Sequence, residues 1–371
     1  MKYILQFFTG SWQGTHDNPE DMIRKIEDVS SRLPVDKVII GWNTDPDVYR
    51  QLGEYLHEKG IRMVLWLPVF TEIGDVAETD KALDLFGNPI VTPAEEEGKA
   101  FVFACPSSRR NIQAVKDVYE RYFAGCGFDG VFLDRVRSQS FVTGVSGVLS
   151  CGCAACRQAF LKRGVDTDAV RERYEQKKDS FFDMAAYPMN GQFELEDPLA
   201  QAFFEAKEEI ITEAVTGLCR FFKEKGMIVG LDLFAPVVSR FVGQNYTQIT
   251  KYADFIKPML YRRTEAPAGI GYEYALFEKH APGARGHIRL PGDKALLETQ
   301  LDAIGCVSCE KYPGVEINYS EDVVRTDADY ITESLTAIRE HGFEGAALCW
   351  NIMQAPEAHI EAAVKMEKDG K

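Results

Sequence analysis

The chain has 371 residues, 45% of them hydrophobic, enough to bury one large core. A formal charge of −15 opposes binding to nucleic acid, whose phosphates it would repel, and no apolar run is long enough to span a membrane. Nine cysteines, an odd number, and an N-terminus "MKYILQFFTG" too short for a signal h-region predict a cytoplasmic protein with reduced thiols.

Apolar runs of strand length alternate with amphipathic helical stretches from one end to the other. Strands are predicted at 3–8, 37–42, 62–69, 130–134, 228–234, 255–261, 314–318 and 346–351. Most are rich in β-branched or aromatic residues and nearly continuous in apolarity, as parallel strands buried on both faces are. Helical patterns such as "DMIRKIEDVSSRL", "DVYRQLGEYLHEKG" and "DYITESLTAIREHG" lie between them. Several end on Gly shortly before the next strand, the place of a helix C-cap. Eight strands separated by helices predict an α/β fold, a single (β/α)8 barrel domain over 1–371. A doubly wound sheet fits less well, because "FFTGSWQGT" after the first strand is a poor phosphate loop. Two insertions interrupt the repeat, at about 71–98 and 138–199, with no linker that would let either fold alone.

Active sites of such barrels lie at the C-terminal ends of the strands. The polar and aromatic residues there are Trp42 and Asn43, Trp66, Asp134 with Arg135 and Arg137, Asp232, Lys257, Tyr261 with Arg262, Glu316 with Asn318 and Tyr319, and Trp350 with Asn351. Histidine is missing from this set and no HxH pair occurs, which argues against a metal-dependent amidohydrolase. Carboxylates from three strands beside aromatic residues fit glycoside hydrolysis. One carboxyl protonates the leaving oxygen, and another attacks the anomeric carbon or activates water. Glu316, Asp134 and Asp232 are therefore the candidate catalytic residues. Trp42, Trp66, Tyr261 and Trp350 are candidate sugar platforms, while Asn43, Arg135, Arg137, Lys257 and Asn318 are candidates to bond hydroxyls. A salt bridge from Asp134 to Arg135 or Arg137 is the competing structural reading. Two other functions stay open: a carbohydrate-binding barrel that does not hydrolyse, and a sugar lyase or isomerase with Lys257 or Tyr261 as base.

The stretch "SCGCAACRQAF" puts Cys151, Cys153 and Cys156 on one tight loop, three of the four thiolates that a structural zinc takes. Cys105, in "FVFACPSSRR", is the expected fourth, because the helix it begins leads into strand four and brings it to the same end of the barrel. The expected cofactor is structural Zn2+, with no organic cofactor. Cys306 and Cys309 read as surface or core thiols, and Cys126, Cys219 and Cys349 as core.

A "CP" turn followed by a C-x-C-x-x-C loop running into "RQAF" resembles the zinc knuckle of glycoside hydrolase family 42 β-galactosidases. The resemblance implies a barrel of the large retaining clan, zinc held by Cys105, Cys151, Cys153 and Cys156, and a strand-seven nucleophile at Glu316. That family carries Asn-Glu at strand four, where this chain has Leu133-Asp134-Arg135. "GFDGVFLDRVR" and "YADFIKPMLYRR" are similar to segments of uncharacterised glycosidase-like barrels, and "PMLY" to the strand-six M-x-Y of chitinase-type barrels. This similarity implies Asp134 or Asp232 as the acid. The expectation is a retaining O-glycosyl hydrolase acting on a small glycoside or oligosaccharide. Neither a nucleic acid nor a membrane is expected as partner, and homo-oligomerisation is left open.

Overall fold

The computed structural model describes residues 1–9, 18–71, 73, 77–92, 101–184, 187–281 and 289–370. Eight parallel strands form the barrel: β1 (Lys2–Phe8), β2 (Val35–Gly41), β3 (Arg62–Pro68), β4 (Gly130–Asp134), β5 (Ile228–Phe234), β6 (Phe255–Met259), β7 (Gly314–Glu316) and β8 (Gly345–Cys349). Each pairs with its neighbours in sequence, and β8 pairs with β1. Closure is completed at Gly314, which pairs with Met259 on one side and Ala347 on the other. The predicted (β/α)8 barrel is the observed fold. The strands at 255–261 and 314–318 are shorter than expected. Leu260 turns its N–H back to Pro258 O at 3.0 Å, which takes it out of the ladder.

The helices begin where local chemistry starts them. α1 (Pro19–Arg32), α2 (Pro46–Glu58) and the long helix Pro198–Glu224 are each preceded by Asn18, Asp45 or Asp197, whose side chain accepts a first-turn N–H. Proline at the first helical position costs no hydrogen bond there and presets the backbone. The buried stripe of α1, Met22, Ile26 and Val29, then seats it on the barrel.

Inside the barrel, Phe132 and Phe255 stack at 6.0 Å between centroids. Gly230 leaves them room, since a Cβ there would lie 2.1 Å from the Phe255 ring. The end nearer the strand starts is closed by charge, which the sequence reading missed. Lys37, 1% exposed, donates to Asp36, to Glu310 at 3.1 Å and to the Tyr312 hydroxyl at 2.9 Å. Arg62 donates to both oxygens of Asp36, at 2.7 and 2.8 Å. Burial works against ionised Asp36, but Lys37 and Arg62 outweigh it and hold its pKa down to about 2.

Both insertions lie against the barrel. Within 71–98, residues 72, 74–76 and 93–98 fall outside the described residues; the rest forms an arm bridged at Thr71↔Phe103 and Lys81↔Ala104. The insertion 138–199 packs Phe141 and Phe193 on Phe241, at 5.0 and 4.6 Å between centroids. Among the described residues, no helix is long and apolar enough to cross a membrane.

Removing Lys37 leaves Asp36 and Glu310 without their shared cation. Lys37→Ala is expected to cost about 3–5 kcal/mol in urea unfolding; a loss under about 1 kcal/mol would contradict this role. Because the folded pKa of Asp36 lies below its free value of 3.8, its contribution is present above that pH and is lost as pH falls toward about 2. Asp36→Asn should flatten that acid limb.

Candidate active site at the carboxyl ends of the strands

Matched register on three adjacent strands builds the centre of the site. Leu133 pairs with Leu231, one residue before Asp134 and Asp232, and Asp232 pairs directly with Lys257. Side chains alternate along a strand, so Asp134 shares the interior face with Phe132, and Lys257 shares it with Phe255. The Lys257 ammonium lies 5.4 Å over the Phe132 ring. It meets Asp232 Oδ2 at 3.0 Å, the Tyr261 hydroxyl at 3.1 Å and Gln6 Oε1 at 3.2 Å. Gln6 was not foreseen; its signal was a single amide inside the apolar run "YILQFF".

Asp232 is 4% exposed, and its Oδ1 has no hydrogen-bond partner among the described residues. Burial pushes its pKa up to about 7; Lys257 opposes the rise and the negative charge of Asp134 adds to it. Burial pulls on Lys257 in the opposite sense, yet Asp232 outweighs it and keeps the ammonium above its usual range. Asp134 is less enclosed. Its Oδ2 accepts the Trp66 indole N–H at 3.0 Å and its Oδ1 the backbone N–H of Arg135 at 2.5 Å. The expected alternative, a salt bridge to Arg135 or Arg137, is not formed among the described residues.

Aromatic rings flank this row. On the β1–β3 side, Trp42 packs edge-on against Phe8 at 5.0 Å and Trp66 at 5.3 Å between centroids. Arg135, with φ +53°, lays its guanidinium 4.9 Å over the Trp42 ring and donates to Thr71 Oγ1 at 3.2 Å. On the other side, Tyr261 and Trp350 lie 6.0 Å apart. Trp42 and Trp350 are partly exposed, and their faces suit the apolar side of a sugar ring.

Other candidates are at the same rim but committed to the protein. Glu316 is 0% exposed. Its oxygens accept from the backbone N–H groups of Arg262 (3.2 Å) and Arg263 (3.0 Å), from Thr264 Oγ1 (2.7 Å) and from the Tyr330 hydroxyl. Asn318 accepts from the backbone N–H groups of Trp350 and Asn351 and donates to Asn351 O, joining the ends of β7 and β8. Asn43 Oδ1 accepts the Asp45 N–H at 2.6 Å, and its carbonyl accepts the Tyr49 hydroxyl at 2.6 Å. Arg137 is buried between the rings of Phe234 and Phe103. Tyr319 is 51% exposed.

The sulfur atoms of Cys105, Cys151, Cys153 and Cys156 all lie within 4.8 Å of one another. Cys105 Sγ is 3.2 Å from Cys153 Sγ and 3.4 Å from Cys156 Sγ. Four thiolates at about 2.3 Å from a tetrahedral ion stand roughly 3.8 Å apart, so the set fits such an ion with small outward shifts. Cys153 caps the helix Ala154–Leu161, and its sulfur accepts the Cys156 N–H at 3.5 Å, where the helix N-terminus favours negative charge. Gly152 N–H donates to Leu83 O at 2.8 Å, so the cluster ties the arm after β3 to the insertion after β4. Of the remaining cysteines, Cys126, Cys219 and Cys349 are buried as expected; Cys306 is exposed and Cys309 half-buried.

Fold and site together define a (β/α)8 barrel with two neighbouring carboxyls between aromatic walls. Neither a known family model nor a curated protein sequence matches the chain. Among solved structures it is similar to the glycoside hydrolase domain of PgaB (BpsB) from Bordetella bronchiseptica, with a TM-score of 0.63, 14% identity and 98% of each chain covered. It is also similar to α-L-fucosidase isoenzyme 2 from Paenibacillus thiaminolyticus, with a TM-score of 0.57 and 10% identity over 99% of this chain and 49% of that one. The spore cortex-lytic enzyme SleL of Bacillus megaterium QM B1551 gives a TM-score of 0.50 at 9% identity over 98% of this chain and 73% of that one. At these identities the likeness is one of fold.

Glu316→Gln puts an amide N–H where a donor already points. It is expected to lower stability by about 1–3 kcal/mol, read as a fall in Tm; an unchanged Tm would contradict the enclosure.

Proposed function

We propose that the chain is a retaining glycoside hydrolase acting on a small glycoside or oligosaccharide, with Asp232 as acid/base and Asp134 as nucleophile. The observation that carries the reading is Asp232: a buried carboxyl, one of whose oxygens has no hydrogen-bond partner among the described residues, one strand away from Asp134. Similarity of fold to enzymes named as a glycoside hydrolase domain and a fucosidase supports it. Adjacent strands lie about 4.8 Å apart, which suits the roughly 5–5.5 Å between carboxyls in double displacement.

In this reading, protonated Asp232 gives its proton through Oδ1 to the departing oxygen while Asp134 attacks the anomeric carbon. Lys257 stabilises the Asp232 anion that results. That anion then takes a proton from water as the water releases the sugar from Asp134. Glu316 is given a supporting role, because four donors already occupy it. The ion pair with Asp232 makes Lys257 a poor base, which disfavours the lyase reading. The four cysteines are read as a structural zinc site of the family 42 kind, supported by their donor set and convergence. Zinc there braces the two insertions and takes no part in the reaction.

Asp232 must be protonated to act as acid, so kcat/KM on a responsive aryl glycoside should fall as pH rises through about 7. Asp232→Asn should remove that limb and lower kcat by roughly 10²–10⁴-fold. A variant that keeps both the limb and the rate would overturn the assignment. Elemental analysis of protein purified without chelator should find zinc on the chain, and Cys153→Ser should lose it along with several degrees of Tm. Wild-type protein without zinc would contradict the metal reading.

A further inference from the structure

Arg137 is 7% exposed and lies between aromatic rings, 4.2 Å from the Phe234 centroid and 5.0 Å from that of Phe103. A guanidinium has five N–H donors in a planar fork. Among the described residues one hydrogen bond uses them, Nη1 to Ser138 O at 2.9 Å. Among the described residues, no hydrogen bond is made by the edge formed by Nε and Nη2. Asp134, Asp232 and Glu273 attract this cation and Arg135 repels it, all without a salt bridge among the described residues. Glu273 Oε1 accepts from Ser140 Oγ at 3.0 Å and from the Ala268 N–H at 3.1 Å.

A buried cation that leaves most of its donors unanswered is costly, and protein interiors ordinarily supply acceptors for them. Here the donor pair left over is the side of the guanidinium that matches two oxygens of one oxyanion. Arg135 stands two residues away, its side chain laid over Trp42 in the same mouth. Two guanidiniums at one rim are notable on a chain of net charge −15, whose overall field repels anions.

We propose that the Nε/Nη2 edge of Arg137 binds an oxyanion on the substrate, the carboxylate of a uronic acid or a sulfate ester, so that the preferred substrates are acidic glycosides. This rests on the hydrolase reading for turnover but makes its own prediction about binding.

The test uses matched sets of aryl glycosides, each a neutral sugar, its uronide and its 6-sulfate, in both anomeric forms. The expected result is a kcat/KM for one anionic member at least about 100-fold above its neutral twin. Arg137→Leu should bring that ratio close to one, chiefly through KM. Arg137→Lys, which keeps the charge but not the fork, should fall between and guards against a folding defect in the first variant. Whether the uronide or the sulfate leads identifies the oxyanion. Cleavage of neutral and anionic twins at equal rates overturns the inference and leaves the hydrolase reading standing. If nothing is cleaved, the hydrolase reading fails and Tm decides. A rise with free glucuronate, galacturonate or glucose 6-sulfate that Arg137→Leu abolishes supports the anion site; no rise overturns it.

Discussion

A carboxyl group inside a barrel is costly unless a partner stands beside it, and here that partner is Lys257. The ammonium bridges Asp232, Tyr261 and Gln6, so strands β5, β6 and β1 are joined through one cation at the mouth. Without it Asp232 would be an uncompensated buried acid. With it, one oxygen is held, and the other has no hydrogen-bond partner among the described residues. The register of β4, β5 and β6 produces this outcome, because it sets Asp134, Asp232 and Lys257 at one level.

The rest of the rim serves that row. Trp66 orients Asp134 through its indole N–H while its ring packs on Trp42, so one residue shapes both that carboxylate and the aromatic wall. Glu316 and Asn318 join neighbouring segments by hydrogen bonds. The cysteine cluster works further out. It lies where the segment that follows Arg135 and Arg137 meets the arm after β3, through Gly152 N–H to Leu83 O.

What was legible in the sequence was mostly local. Apolar runs and their spacing contain the barrel, because parallel strands must be apolar on both faces. The convergence of Cys151, Cys153 and Cys156 follows from six residues of chain, and Cys105 follows from its place before the helix leading to β4. Asp232 and Lys257 could be placed at the rim, but their pairing depends on register between strands, which the residue pattern does not show. The enclosure of Glu316 was hidden for the same reason, since its donors come from Arg262 to Thr264 and from Tyr330. The opposite end, with Lys37 between Asp36 and Glu310, escaped notice because 273 residues separate Lys37 from Glu310.

The central claim is that Asp134 forms the covalent bond to sugar and Asp232 manages the proton. Its most direct test is to incubate the protein with a 2-deoxy-2-fluoro aryl glycoside of the sugar it cleaves, then map the modified peptide by mass spectrometry. The account predicts a glycosyl label on the peptide carrying Asp134. A label on the peptide carrying Glu316, or turnover with inversion and no label, would contradict it.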